Sequence, residues 1–186
     1  MARVNPIRRA GQYPDGADAQ TRAGLDDLFA GMFPGNPEGE IDRNHSGMAV
    51  AANSPKLAGL MAQMSRFVVI ELDWSQRKAL SELAIRTVNH HYGSRFSNDA
   101  RLGAAKAAGL SDAQIAEVPD WRSDLFDAEQ SLVIEYAEAV MDGAVGDALF
   151  ARMVAAFGEK DTVECTAAIG WWAMWAMLIV ATDAGA

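Results

Sequence analysis

The chain has 186 residues, 50% apolar and 22% charged, a globular composition that excludes an intrinsically disordered chain. Sixteen Lys plus Arg against 25 Asp plus Glu leave a formal charge of −9, which argues against nucleic acid or an anionic membrane as partner. The single cysteine, Cys165, excludes an intrachain disulfide and any Cys-x-x-Cys motif for redox work or zinc. Arg3, Arg8 and Arg9 are not followed by an apolar run, so no signal peptide is read and a cytoplasmic location is expected.

Period-3.6 patterns recur almost end to end and no segment alternates with period 2, which predicts an all-α protein. Residues 1–18, with Gly, Pro and Asp, are expected to wrap a surface, and residues 19–186 to form one helical domain. Leu25, Leu28, Phe29 and Met32 make the first apolar stripe, closed by Pro34-Gly35-Asn36-Pro37. A short run near 44–52 follows. Pro55 suits a first helical turn, and Leu57, Leu60, Met61, Met64, Phe67 and Val68 form the second stripe.

Asp73 with Gln76 reads as an N-cap with its box partner, opening a helix to about Tyr92. Ser97-Asn98-Asp99 is expected to cap a helix that ends at Gly109. Ser111 with Gln114 and Asp127 with Gln130 are two further capping boxes. Leu149, Met153, Val154 and Phe157 mark a helix stopped at Gly158, and Asp161 is expected to cap the last one. The sum is seven or eight helices with short connections.

The last of them contains fifteen uncharged residues, 167–181. That is short of the ~20 needed to span a bilayer. The expectation is a helix buried on most sides, in the core or at a subunit interface. Trp171, Trp172 and Trp175 cannot all point one way, so one is expected to face a partner or pocket.

On the helix ending near Tyr92, Leu80, Leu83, Ala84, Thr87, Val88 and His91 follow one face. Glu82, Arg86, Asn89 and His90 follow another, at i, i+4, i+7 and i+8. Charge at helical spacing ordinarily makes a solvated face, with a Glu82–Arg86 pair adding only ~0.3–0.5 kcal/mol. Against that reading, two of the three histidines end this helix side by side, and a histidine near a carboxylate can give or take a proton near neutral pH. No His-Glu-x-x-His or Glu-x-x-His pattern calls for a metal, and no Gly-x-Ser-x-Gly, Gly-x-Gly-x-x-Gly or phosphate-loop pattern occurs. His45 reads as surface and Cys165 as buried and inert. No cofactor is expected.

The stretches Glu82-Leu-Ala-Ile-Arg-Thr-Val and Ala104-Ala-Lys-Ala-Ala-Gly-Leu-Ser-Asp-Ala-Gln-Ile resemble the carboxymuconolactone decarboxylase and alkyl hydroperoxidase D-like superfamily. The Asn53-Ser-Pro-Lys-Leu segment and the later Gly170-Trp-Trp-Ala-Met fit the same frame. The resemblance runs roughly from residue 20 to 182, its specific part being about 35 residues. It implies an all-helical fold and a homo-oligomer, often a trimer or hexamer.

The peroxidase branch of that superfamily carries a Glu followed by Cys, Cys and His at 12, 15 and 19 residues on. Counting from Glu82, these positions hold Ser94, Ser97 and Arg101. Serine alcohols cannot cycle a disulfide, so peroxidase activity is not expected. What the resemblance implies is the same site with its charges rearranged. His90 and Glu82 are the expected acid/base pair, and Arg101 is expected to hold a substrate carboxylate. Arg86, His91, Ser94 and Ser97 complete the expected binding set. The function implied is a cofactor-independent lyase or isomerase acting on a small organic acid or lactone. The alternative is a non-catalytic helical oligomer that binds a small molecule or partner protein.

Overall fold

Asp18 accepts a hydrogen bond from the Thr21 amide at 2.7 Å and so starts the first helix, α1 (Ala19–Met32). The computed structural model describes residues 3–185. Residues 1, 2 and 186, at the ends of the expected surface segment and helical domain, lie outside it. α2 (Ser46–Ala51), α3 (Pro55–Arg66), α4 (Lys78–His91), α5 (Arg95–Ala100), α6 (Leu102–Ala107), α7 (Asp112–Glu117), α8 (Ala128–Met141) and α9 (Asp147–Thr182) follow. The fold class is all-α. Among the described residues the only extended pairing is an isolated bridge, Arg9 to Glu40, and the α-helices number nine rather than seven or eight.

The chain divides into two compact units. The first comprises residues 1–67 and 178–186, the second residues 68–177. In the first, α1 packs on α3, and Ile7, Leu25, Phe29, Ala49, Ala58 and Met61 are buried. The N-terminal segment is stitched in place. Ile7 donates its amide to the Ala49 carbonyl at 2.8 Å, and the Arg8 guanidinium reaches Ile41 O, Asp42 O and Ser46 Oγ. Pro55 occupies the first turn of α3 as the sequence predicts. The α3 stripe does not all turn inward, however. Met61 is buried, whereas Leu57, Leu60, Met64 and Phe67 are exposed, Leu60 at 60%.

The second unit is built around α4. Leu80, Ala84 and Val88 face a core shared with Leu132, Val133, Tyr136 and Ala137 of α8 and with Met153, Cys165, Ala168, Ile169 and Ala173 of α9. Leu83 belongs to another cluster, with Ala105, Leu110, Ile115, Val118, Trp121, Phe126 and Ile134. Both predicted capping boxes beyond residue 110 form: Ser111 with Gln114 opens α7, and Asp127 with Gln130 opens α8.

Three local expectations need correction. Asp73 does not cap the helix to Tyr92. Residues 73–76 make a separate 3₁₀ turn, because every capping group there is engaged elsewhere. Asp73 pairs with Lys160, Ser75 Oγ donates to the Val68 carbonyl, Gln76 donates to the Ile70 carbonyl, and Glu164 accepts the Trp74 amide. Likewise, Ser97-Asn98-Asp99 lies inside α5 rather than before it, and Arg101 breaks the run into α5 and α6. Gly109, at φ +92, ends that run as expected.

Lastly, Gly158 interrupts α9 at φ 82 and ψ 164, a region open essentially to glycine alone, but the helix resumes at once. Asp161 caps nothing there; its carboxylate takes Arg77 Nε and Nη2 at 3.0 and 2.9 Å. The resulting α9 is, among the described residues, the one helix long and apolar enough to cross a membrane. Within the chain, 33% of its most apolar stretch is buried.

Candidate functional site

The polar face of α4 is not solvated. Glu82 is 7% exposed, Arg86 5% and Asn89 3%, because α8, α9 and the α5–α6 turn surround this helix. The expectation of a solvated charge stripe is therefore overturned. Burial of an ion costs several kcal/mol unless another charge and hydrogen bonds answer it. For Glu82 the answer comes from Arg101. That guanidinium binds both carboxylate oxygens, Nη2 to Oε1 and Nε to Oε2, the latter at 3.2 Å. It also lies over the Trp172 ring, 4.7 Å from its centroid, which adds a cation–π contact. The break between α5 and α6 at Arg101 aims this side chain back at α4.

Arg86 is held differently. Its Nη1 reaches the Asn98 carbonyl at 3.4 Å, and its Nε is buried with no hydrogen-bond partner. Burial pulls its pKa below the ordinary arginine value, opposed by the negative charges of Glu82 and Asp99. Asn89 Nδ2, Asn98 Oδ1 and Trp171 Nε1 are likewise buried without partners. Of the tryptophans, Trp175 is buried and meets Trp171 edge-on at 6.0 Å, while Trp172 serves Arg101.

The histidines part company. His90 is solvent-exposed at its rim, yet the protein packed around its ring and, second, the charge of Arg86 hold it below its ordinary value of 6.5. Its imidazole is thereby kept neutral at neutral pH and able to accept a proton. His91 turns away from this set: its Nδ1 lies 3.8 Å from Asp142, and its ring meets Tyr92 at 4.8 Å. Ser94 is buried and donates its hydroxyl to Ser97 Oγ at 2.9 Å, leaving the Ser97 proton available. The geometry thus joins Glu82 to Arg101 and Ser94 to Ser97, and places Arg86 between Glu82 and His90 on one helix face. It does not give Glu82 to His90 or to Arg86.

Asn89 and Asn98 are the polar groups that sequence reasoning passed over as site residues. The signal for Asn89 was its place in the stripe; nothing in the spacing marked Asn98. His45 is exposed beside Asp42, and burial pushes the Cys165 thiol up, as suits a surface histidine and an unreactive cysteine. Among the described residues no group of three or more His, Cys, Asp or Glu side chains is placed to hold a metal ion. Two surface concavities lie elsewhere. One, near Phe29 and Phe33, measures about 370 Å³; the other, lined by Tyr136, Phe150, Val163 and Thr166, about 660 Å³.

No family model matches the chain, and no solved structure matches it. Over 72 residues the chain is 44% identical to an uncharacterized protein, YnjA, of Escherichia coli (strain K12). That stretch is 37% of this chain and covers 39% of the relative's length, so the chain spans well under half of the protein it is similar to.

Proposed function

We propose that the chain is a cytoplasmic, cofactor-independent lyase or isomerase of the carboxymuconolactone decarboxylase-like group, acting by proton transfer on a small organic acid or lactone. The observation that carries this reading is the buried polar stripe of α4, with Glu82 and Arg86 inside, Arg101 closing on Glu82, and a neutral-leaning histidine at its solvent end. In this reading His90 takes the proton from the carbon next to the substrate carbonyl. The developing enolate is met by positive charge from the stripe and by the free hydroxyl proton of Ser97. Glu82, locked by Arg101, sets the charge and shape of the site rather than moving a proton. Disulfide-cycling peroxide reduction is not part of the proposal, since the single thiol is buried and pushed up.

The test is solvent exchange. Small keto acids and lactones, muconolactones included, are incubated with the protein in deuterium oxide, and label at the carbon next to the carbonyl is followed by NMR. Exchange is expected with the wild type and a fall of about 10²-fold or more with His90→Gln. Equal exchange in the variant would remove His90 from the mechanism, and no exchange with any compound would end the reading.

A second reading, a non-catalytic homo-oligomer, is favoured by one observation: Leu57, Leu60, Met64 and Phe67 are exposed together, an apolar patch of the kind that marks association. Assembly as a trimer or hexamer is compatible with either reading. Sedimentation at several concentrations decides it, a monomer throughout being the contrary result.

A further inference from the structure

The three charges at the α4 stripe, Glu82 and Arg86 buried and Arg101 with its side chain 26% exposed, do not cancel. Glu82 contributes one negative charge, and Arg86 and Arg101 each contribute one positive charge. Both oxygens of Glu82 are taken by Arg101, and among the described residues no carboxylate is paired with Arg86. Asp99 acts on Arg86 only through space, from an exposed position, and His90 adds no negative charge. A guanidinium at 5% exposure is thus left with one long hydrogen bond and a bare Nε. Three residues on, at the adjacent position of the same helix face, Asn89 is 3% exposed and its Nδ2 is bare as well.

Two unpartnered N–H donors beside one uncompensated positive charge describe a seat for a single monoanion. The planar fork of a guanidinium, supplemented by an amide, matches the two oxygens of a carboxylate better than a spherical ion. Arg101 does not offer that seat. Its fork is already filled by Glu82, and Trp172 covers one of its faces.

We propose that Arg86, with Asn89, binds the carboxylate of a small organic monoacid, and that Arg101 serves to hold Glu82 rather than the ligand. The identity of that acid as a substrate rests on the proton-transfer reading above; the seat itself is read from the unpartnered donors and the charge balance. His90 stands one turn beyond Arg86 on the same face, so a carboxylate seated there lies one helical turn from the imidazole.

The probes are acetate and benzoate, titrated at constant ionic strength against sodium chloride, with binding read by calorimetry and by the unfolding midpoint. In the wild type the midpoint rises with either carboxylate and not with chloride. Asn89→Ala weakens binding about tenfold, Arg86→Gln abolishes it, and Arg101→Lys, which leaves Glu82 a cationic partner, keeps it. No response in the wild type, an equal response to chloride, or a response retained in both Arg86→Gln and Asn89→Ala overturns the proposal. Loss in Arg101→Lys alone does the same. Should Arg86→Gln fail to fold, Asn89→Ala decides. Because deuterium exchange is read separately, carboxylate binding without exchange would end the proton-transfer reading and leave this site standing. Exchange without binding at Arg86 would do the reverse.

Discussion

Leu57, Leu60, Met64 and Phe67, on and just beyond α3, are exposed, whereas Glu82, Arg86 and Asn89 of α4 are buried. Each helix has an apolar and a polar face at helical spacing, and each uses them against the usual sense. The difference lies in what packs around each helix. α3 needs only Ala58 and Met61 to close its unit against α1, so its larger apolar residues are left facing out. α4 has α8, α9, α5 and α6 around it, so its polar stripe is enclosed and its charges have little water to answer them. Periodicity gives the phase of a helix; the number of neighbours decides how much of the circumference is dry.

The largest effects are expected where that enclosure is disturbed. Arg101→Gln leaves the Glu82 carboxylate buried and unpaired, and about 3 kcal/mol of stability should be lost. Glu82→Gln leaves instead an arginine whose side chain is 26% exposed and still stacked on Trp172, so its cost should be smaller, about 1–2 kcal/mol. Urea unfolding with an unchanged slope reads both. Equal or reversed costs would mean that Glu82 is less dry than its surroundings imply. On α3 the contrast is between neighbours in sequence. Met61→Ala removes a buried side chain and should cost about 3 kcal/mol, while Leu60→Gln, one position earlier, should stay within about 0.5 kcal/mol for the isolated chain. A large cost at Leu60 in dilute monomer would show that the α3 stripe is covered from within.

The same contrast explains how far the sequence could be read. Helix ends with self-contained chemistry were legible: Ser111 and Asp127 cap their own helices, and Gly109 ends one at positive φ. Asp73 and Asp161 were not, because their carboxylates are drawn to Lys160 and Arg77, more than 80 residues away in sequence. The candidate site shows the same limit. The count from Glu82 to Arg101 brought the two residues into view, but the pairing between them depends on the break at residue 101, which no local pattern announced. Nor could spacing tell that Arg86 would be dry, because that is a property of α8 and α9 as much as of α4.

The smallest expected effect concerns the one member of the stripe that reaches solvent. Packing around the ring, and then the charge of Arg86, lower the His90 pKa in the folded protein below the 6.5 of the unfolded chain. The unfolded state therefore binds the proton first as pH falls, so stability should be level above about pH 7 and decline as the pH drops through the His range. Asp18 and Asp42, whose folded values are lowered from 3.8, lose their contribution only at more acid pH, which separates the two windows. His90→Gln should flatten the decline between about pH 7 and 5 while leaving the acid limb in place, as read from urea midpoints. Arg86→Gln removes one of the two causes and should restore part of the histidine's affinity for the proton, making the decline smaller and ending it at a higher pH without abolishing it. An unchanged profile in His90→Gln would mean that the ring is hydrated in the folded chain, and that the dry part of the α4 stripe ends at Asn89.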